Sequence, residues 1–330
     1  MANLQLSFTC ANYDRVRPLL DGRVRIDGVD IIPTMLEPEE AFHRAFKFNE
    51  FDISEISMSS HSVMTARGEA EYVGVPAFLS RVFRHSGIYI NTSKGIRTPE
   101  DLRGKRVGVP EYQITANVWI RGLLSDEYGV KAHEIHWRRG GIEEPGRGER
   151  SPIKLPAEID LQQIPDDKTL SGMLEAGELD ALIGARAPSC FLNGSPQVAR
   201  LFPDFKTAEQ AYFKKTGLFP IMHMIGIRKS LVEKHPWLPV NVYKALVEAK
   251  RLAMRDLNEV NMLLITLPWV VYEYNETRRV MGDDYWPYGV NANRAALEVF
   301  LRWHQEQGLS HRRVAVEELF APSVQDISKI

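Results

Sequence analysis

Over the first hundred residues the apolar positions switch repeatedly between a period of two and a period of three to four. Leu4–Thr9 alternates apolar and polar residues and predicts a strand; Ala11–Arg15 breaks the alternation, and Val16–Leu20 resumes as a short helix. Val29–Pro33 predicts a second strand, Pro38–Phe48 an amphipathic helix, and Phe51–Ser57 a third strand carrying an unexpected Glu55. This β-α-β-α-β order implies a parallel sheet. Ser59–Arg67 fits a further helix, and Val73–Phe78 and Ile88–Asn91 fit two more strands, so the first hundred residues read as one α/β unit.

A second α/β pattern follows. Thr98-Pro99-Glu100-Asp101 carries helix-start signals: a capping Thr, a Pro at the first helical position and acids in the first turn. Arg106–Val109 predicts a strand, Thr115 to about Tyr128 an apolar-periodic helix, Ile135 and Ile159 mark strands, Thr169–Ala176 a helix and Ala181–Gly184 a strand. Gly140–Pro156, rich in Gly, Pro and charge, reads as an inserted surface loop. A β-like run at Phe219–Ile227 then precedes helices over Val240–Leu257, Glu259–Met281 and Asn293–Gln307. The expected architecture is α/β with two lobes: residues 1–110 plus 218–330, with C-terminal helices, form lobe 1, residues 111–217 form an inserted lobe 2, and ligand binds in the cleft between them.

Composition narrows the function classes. The 330 residues hold 41 Lys plus Arg against 43 Asp plus Glu, a net charge of −2 that offers no field for phosphate backbones, so nucleic acid is not an expected partner. Asn261–Tyr272, the longest charge-free apolar stretch, is interrupted by Pro268 and falls short of the ~20 residues that span a bilayer. Met1–Cys10 has no basic, apolar and cleavage-site order of a signal peptide, and the two cysteines, Cys10 and Cys190, offer no disulfide framework. A cytoplasmic location with no membrane partner is expected. The apolar, Trp-bearing C-terminal segments point to a homo-oligomer.

Thr98-Pro99-Glu100-Asp101-Leu102-Arg103-Gly104-Lys105-Arg106-Val107-Gly108-Val109 resembles the segment before the lobe crossover in type II periplasmic-binding-protein-like folds. More specific are Tyr13-Asp14-Arg15, Phe51-Asp52-Ile53-Ser54-Glu55, Phe83-Arg84-His85-Ser86, Val109-Pro110-Glu111-Tyr112-Gln113, Glu143-Glu144-Pro145-Gly146-Arg147, Arg186-Ala187-Pro188-Ser189 and Phe219-Pro220-Ile221-Met222-His223. With Trp286-Pro287-Tyr288-Gly289 and Glu317-Glu318-Leu319-Phe320-Ala321-Pro322, the chain is similar nearly end to end to the 4,5-dihydroxyphthalate decarboxylase family. That resemblance implies removal of one carboxylate from a dihydroxylated phthalate, giving protocatechuate and carbon dioxide.

An aryl carboxylate departs reluctantly, because its electron pair would occupy a ring orbital that cannot delocalise it. With a phenol para to the leaving group, protonation of the ipso carbon by a positioned acid gives a ketone tautomer that loses carbon dioxide, and no electron-sink cofactor is required. The site then needs cations for two carboxylates, a proton donor, and an acceptor for the phenols. In open α/β sheets ligands sit beyond the carboxyl ends of strands, which selects the candidates. Arg15, Arg81, Arg84 and Arg186 are the candidate carboxylate binders, Arg15 and Arg186 holding the two carboxylates. His85 or His223 is the candidate donor, and Glu55 or Glu111 its orienter or the phenol's acceptor. Tyr112 and Thr115, before a helix amino end, are candidate anion contacts, with Thr115 equally readable as a simple cap. His61 reads as a core histidine or a site residue, and Trp137, Trp269 and Trp286 as core or as stacking surfaces.

Metal chemistry finds little local support. His133 and His136 point to opposite faces of a strand, no His-Glu-x-x-His helix occurs, and only a dispersed set such as Glu55, His85 and His223 offers ligands, so no metal and no cofactor are expected. Gly146-Arg147-Gly148 does not sit between a strand and a helix as a phosphate loop would. The rival reading is a solute-binding protein or sensor that holds an aromatic carboxylate without altering it.

Overall fold

The computed structural model describes residues 2–146 and 154–327. Contacts divide it into two units, Met1–Arg81 with Ile221–Glu298 and Val314–Ile330, and Val82–Pro220 with Val299–Arg313. The first opens with β1 (Leu4–Cys10), α1 (Arg17–Leu20), β2 (Val29–Met35), α2 (Pro38–Phe48), β3 (Ile53–Ser57), α3 (Met58–Arg67) and β4 (Tyr72–Arg81). The second holds β5 (Ile88–Asn91), β6 (Arg106–Val109), α4 (Thr115–Tyr128), β7 (His136–Arg139), β8 (Leu161–Gln163), α5 (Leu170–Glu175), β9 (Ala181–Ile183), α6 (Ser189–Leu192), β10 (Val198–Arg200) and α7 (Phe205–Thr216). The chain then returns through β11 (Ile221–Arg228), α8 (Lys229–Lys234), α9 (Leu238–Leu257), α10 (Val270–Met281) and α11 (Val290–Glu306).

The first sheet runs β2-β1-β3-β11-β4. β1 lies parallel to β2 and β3, while the returning β11 inserts antiparallel to both β3 and β4. All five residues of β3 are buried, as a strand covered on both faces requires. α3 starts cleanly because the Ser57 side chain accepts from the Ser60 N–H. His61 lies inside this helix, 1% exposed, with Nε2 donating to the Leu319 carbonyl at 3.0 Å. It is a core histidine, held to about 4 by burial.

The second sheet runs β10-β5-β9-β6-β7-β8. Ile88–Asn91, expected with the first lobe, pairs instead with β9 (Ile88↔Ile183) and β10, because alternation identifies a strand without naming its partners. Tyr89, Ile164, Leu170, Leu174, Leu179 and Leu182 form its core beside α5. The Thr98 and Asp101 signals produce a single 3₁₀ turn at Pro99–Leu102, with Asp101 accepting from the Thr98 N–H. Of the expected Gly140–Pro156 loop, residues 147–153, and with them Arg147 and Gly148, lie outside the described residues.

A second correction concerns the helix expected over Glu259–Met281: only Val270–Met281 is helical. Pro268 has no N–H to donate, and the apolar residues before it have no covered face to supply the packing that most helices depend on. Among the described residues no helix is long and apolar enough to cross a membrane.

Candidate active site

In the first unit a carboxylate stands where a strand should be wholly apolar. Glu55, in the middle of β3, is 0% exposed, and an unpaired charge there would be costly. Three donors satisfy it. The Ala11 N–H, just past β1, donates to Oε2 at 3.0 Å; the Tyr13 hydroxyl donates to Oε1 at 2.7 Å; and Nδ1 of His223 lies 2.7 Å from the same Oε1. Burial pushes the carboxyl upward, but the His223 hydrogen bond and charge, with Ala11 and Tyr13, outweigh it and hold Glu55 below the usual carboxylate range. An ionised carboxylate only accepts, so His223 carries a proton on Nδ1 and its exchangeable position is Nε2.

His223 is aimed by its strand. It faces Ser57 on β3 and Ser80 on β4, and the β11–β4 register slips on either side of it, an irregularity of the kind that redirects a side chain. Phe42 of α2 meets the imidazole edge-on at 4.7 Å. The side chain keeps 18% exposure, and among the described residues Nε2 takes no hydrogen bond. Burial, then the Glu55 charge, raise the Tyr13 hydroxyl far above its ordinary value, so it stays a donor.

Arg15 lies beside this group. Its guanidinium is sandwiched 4.3 Å from the Tyr13 ring and 4.3 Å from the Trp286 ring, and Trp286 is fixed by its indole N–H donating to the Phe78 carbonyl at 2.8 Å. Nε donates to the Leu79 carbonyl at 2.7 Å, Nη2 donates to the same oxygen, and Nη1 bonds Asp14 at 3.0 Å. The fork is thus locked before any ligand arrives, with part of its five-donor capacity unspent. Arg81 is differently employed: 4% exposed, it donates through Nη1 to the Pro287 carbonyl and to Asn293, and burial pulls it down to about 9. It ties the 287–293 segment to the end of β4.

In the second unit Glu111, Tyr112 and Thr115 are all buried at the amino end of α4. Arg121, one turn further on, lies 3.7 Å over the Tyr112 ring and donates to the Tyr112 carbonyl and to Gln307. Asn117 donates to the Glu111 carbonyl at 2.8 Å, which fixes the approach to the helix. Arg186 is exposed just beyond β9. Arg84 and His85 stand in a separate cluster: the His85 ring meets Phe202 and Tyr212, with Nδ1 4.0 Å from Glu209. Burial lowers His85 to about 4 and Arg84 to about 10, and raises Glu209 to about 7.

Glu55, His223 and Arg15 are therefore gathered in one unit, and Glu111, Tyr112 and Thr115 in the other. In the sequence Tyr13 stands only within the motif Tyr13-Asp14-Arg15; its place two residues before Arg15, past a strand end, is the available signal for its role. The Leu79 carbonyl has no sequence signal at all. Trp137 is core, whereas Trp269 is exposed. Among the described residues no group of three or more His, Cys, Asp or Glu side chains is gathered as metal ligands.

No family model matches the chain. It is 48% identical to the 4,5-dihydroxyphthalate decarboxylase of Comamonas testosteroni over 330 residues, covering 100% of both chains. It is 52% identical to the enzyme of that name from Pseudomonas putida over 214 residues, covering 65% of this chain and 83% of the relative. Among solved structures, the periplasmic aliphatic sulphonate binding protein of Escherichia coli is similar at a TM-score of 0.52 and 13% identity, over 98% of this chain and 99% of the other. An Archaeoglobus fulgidus protein follows at 0.50 and 14%, over 92% and 98%. The likeness to the sulphonate binding protein shows the periplasmic-binding-protein-like fold expected from the sequence, and the curated relatives are named as decarboxylases. At this identity over its whole length, the chain belongs to the 4,5-dihydroxyphthalate decarboxylase family.

Proposed function

We propose that the chain removes one carboxylate from 4,5-dihydroxyphthalate, giving protocatechuate and carbon dioxide, with His223 as the proton donor. The observation that carries this assignment is the buried Glu55 carboxylate, which fixes the His223 tautomer and leaves Nε2 open. Nε2 gives its proton to the ring carbon that bears the departing carboxylate, and the para phenol becomes a ketone as it loses its proton. The carbon–carboxylate bond then breaks, its electron pair restores the aromatic ring, and the phenol regains its proton. Water returns the proton to Nε2, so the net change is one proton taken up and one carbon dioxide released. Glu55 stays ionised throughout and stabilises the imidazolium before transfer.

Arg15 holds a substrate carboxylate through its unspent N–H groups, its plane already fixed by Tyr13 and Trp286. Arg186, Tyr112 and Thr115 are assigned further substrate contacts, and Glu111 acceptance of a phenolic proton. The reading places the protein in the cytosol, supported by Cys10 and Cys190 being buried free thiols, and includes self-association.

The test is carbon dioxide release from 4,5-dihydroxyphthalate, other hydroxyphthalates and phthalate, each with and without chelator. Release that needs a hydroxyl para to a carboxylate and survives the chelator is the expected result. Equal release from unsubstituted phthalate would remove the phenol-assisted mechanism, and no release alongside a ligand-induced rise in melting temperature would return the solute-binding reading.

A further inference from the structure

Tyr13 meets two parts of the site with two different parts of its side chain. Its hydroxyl donates to Oε1 of Glu55 at 2.7 Å, the oxygen that also lies 2.7 Å from Nδ1 of His223. Its ring lies under the Arg15 guanidinium, 4.3 Å from centroid to carbon. The last torsion of a glutamate is soft, so a carboxylate bonded only to His223 could swing. The Tyr13 hydroxyl on one oxygen and the Ala11 N–H on the other fix its plane and the edge that it turns toward the imidazole.

The phenol is itself held. The Tyr13 N–H donates to the Ala11 carbonyl at 2.9 Å, and the Tyr13 carbonyl accepts from the Val16 and Arg17 N–H groups, both at 3.0 Å, where α1 begins. Ser80, the register partner of His223 on β4, hydrogen-bonds the Tyr13 hydroxyl through its side chain. A turn past the carboxyl end of β1, where ligands of open α/β sheets bind, thus fixes a side chain that reaches both Glu55 and Arg15. A donor for Glu55 alone could be any hydroxyl, and a platform for Arg15 alone could be Phe; the phenol supplies both.

We propose that Tyr13 is a positioning residue for both halves of the reaction: its hydroxyl aims the Glu55 carboxylate at His223 for proton transfer, and its ring sets the plane in which Arg15 receives the substrate carboxylate. This role rests on His223 being the proton donor and Arg15 the carboxylate holder. The two contributions separate in steady-state kinetics with 4,5-dihydroxyphthalate. Tyr13→Phe keeps the ring and removes the hydroxyl, so kcat falls about tenfold or more, the effect of one lost hydrogen bond to a charged group, while KM stays within about twofold. Tyr13→Leu removes both, so kcat falls as in Tyr13→Phe and KM rises about threefold or more besides. In a Glu55→Gln background Tyr13→Phe lowers kcat little further, because the hydroxyl acts through that carboxylate. A general loosening of the fold would cost kcat equally in both backgrounds. Wild-type kcat in Tyr13→Phe while His223→Gln is slow overturns the role, as does a Tyr13→Phe loss undiminished by Glu55→Gln, or an unmoved KM in Tyr13→Leu. Wild-type rates from Tyr13→Phe and His223→Gln together overturn the proton-donor reading, and the role of Tyr13 with it.

Discussion

Glu55 shows how one residue is held against the cost of its burial. Its three hydrogen bonds come from a backbone N–H, a phenol and an imidazole on separate parts of the first unit. Glu55→Gln keeps the volume and removes the charge that stabilises the imidazolium. Decarboxylation is expected to lose about 10²- to 10⁴-fold in kcat, the usual span for a disrupted general acid, with KM little changed; steady-state kinetics check it, and an unaltered kcat would detach Glu55 from the chemistry. Arg15 makes a second prediction. Lys in its place cannot lie flat between Tyr13 and Trp286 or reach Leu79 and a carboxylate together. Arg15→Lys should therefore raise KM about tenfold or more, a loss of about 1.4 kcal/mol, measured on the same substrate.

Among the elements, α4 depends on a glycine. A Cβ at Gly122 would sit 2.0 Å from the Trp303 ring of α11, and that ring also packs against Trp119. Gly122→Ala is expected to destabilise the protein by about 1–3 kcal/mol through overpacking, seen as a lower melting temperature. Most elements were legible because their periods were strong: α2 and α4 have the boundaries the apolar spacing predicts. The α10 boundary was not legible, since Asn261–Tyr272 is apolar enough for a buried helix yet has nothing over it. Residues 189–216, holding α6, β10 and α7, carried no periodic signal strong enough to assign. For the site, Glu55 announced itself as a carboxylate inside a strand. That His223 and not His85 bonds it depended on the antiparallel insertion of β11, a pairing between residues 168 positions apart that local pattern cannot encode.

Across the whole molecule, buried titratable groups set the pH response. His61 titrates near 6.5 when unfolded and about 4 when folded, so the folded state binds fewer protons between these values. Its contribution is complete above pH 6.5 and is lost as pH falls through about 4, about 3 kcal/mol in all. Glu209 acts in the opposite sense, being raised to about 7: its contribution is complete below about 4.5 and is lost as pH rises through about 7. His61→Gln preserves a donor toward the Leu319 carbonyl and cannot be protonated. It should flatten the acid limb of a melting-temperature profile between pH 6.5 and 4; an unchanged slope would show that His61 does not titrate there.

Whether Glu55-bound His223 delivers the proton that releases carbon dioxide is decided by single-turnover carbon dioxide release from saturating 4,5-dihydroxyphthalate by His223→Gln beside the wild type. A fall of about 10²-fold or more in the release rate is expected, with the substrate-induced rise in melting temperature retained. Release at the wild-type rate would contradict it.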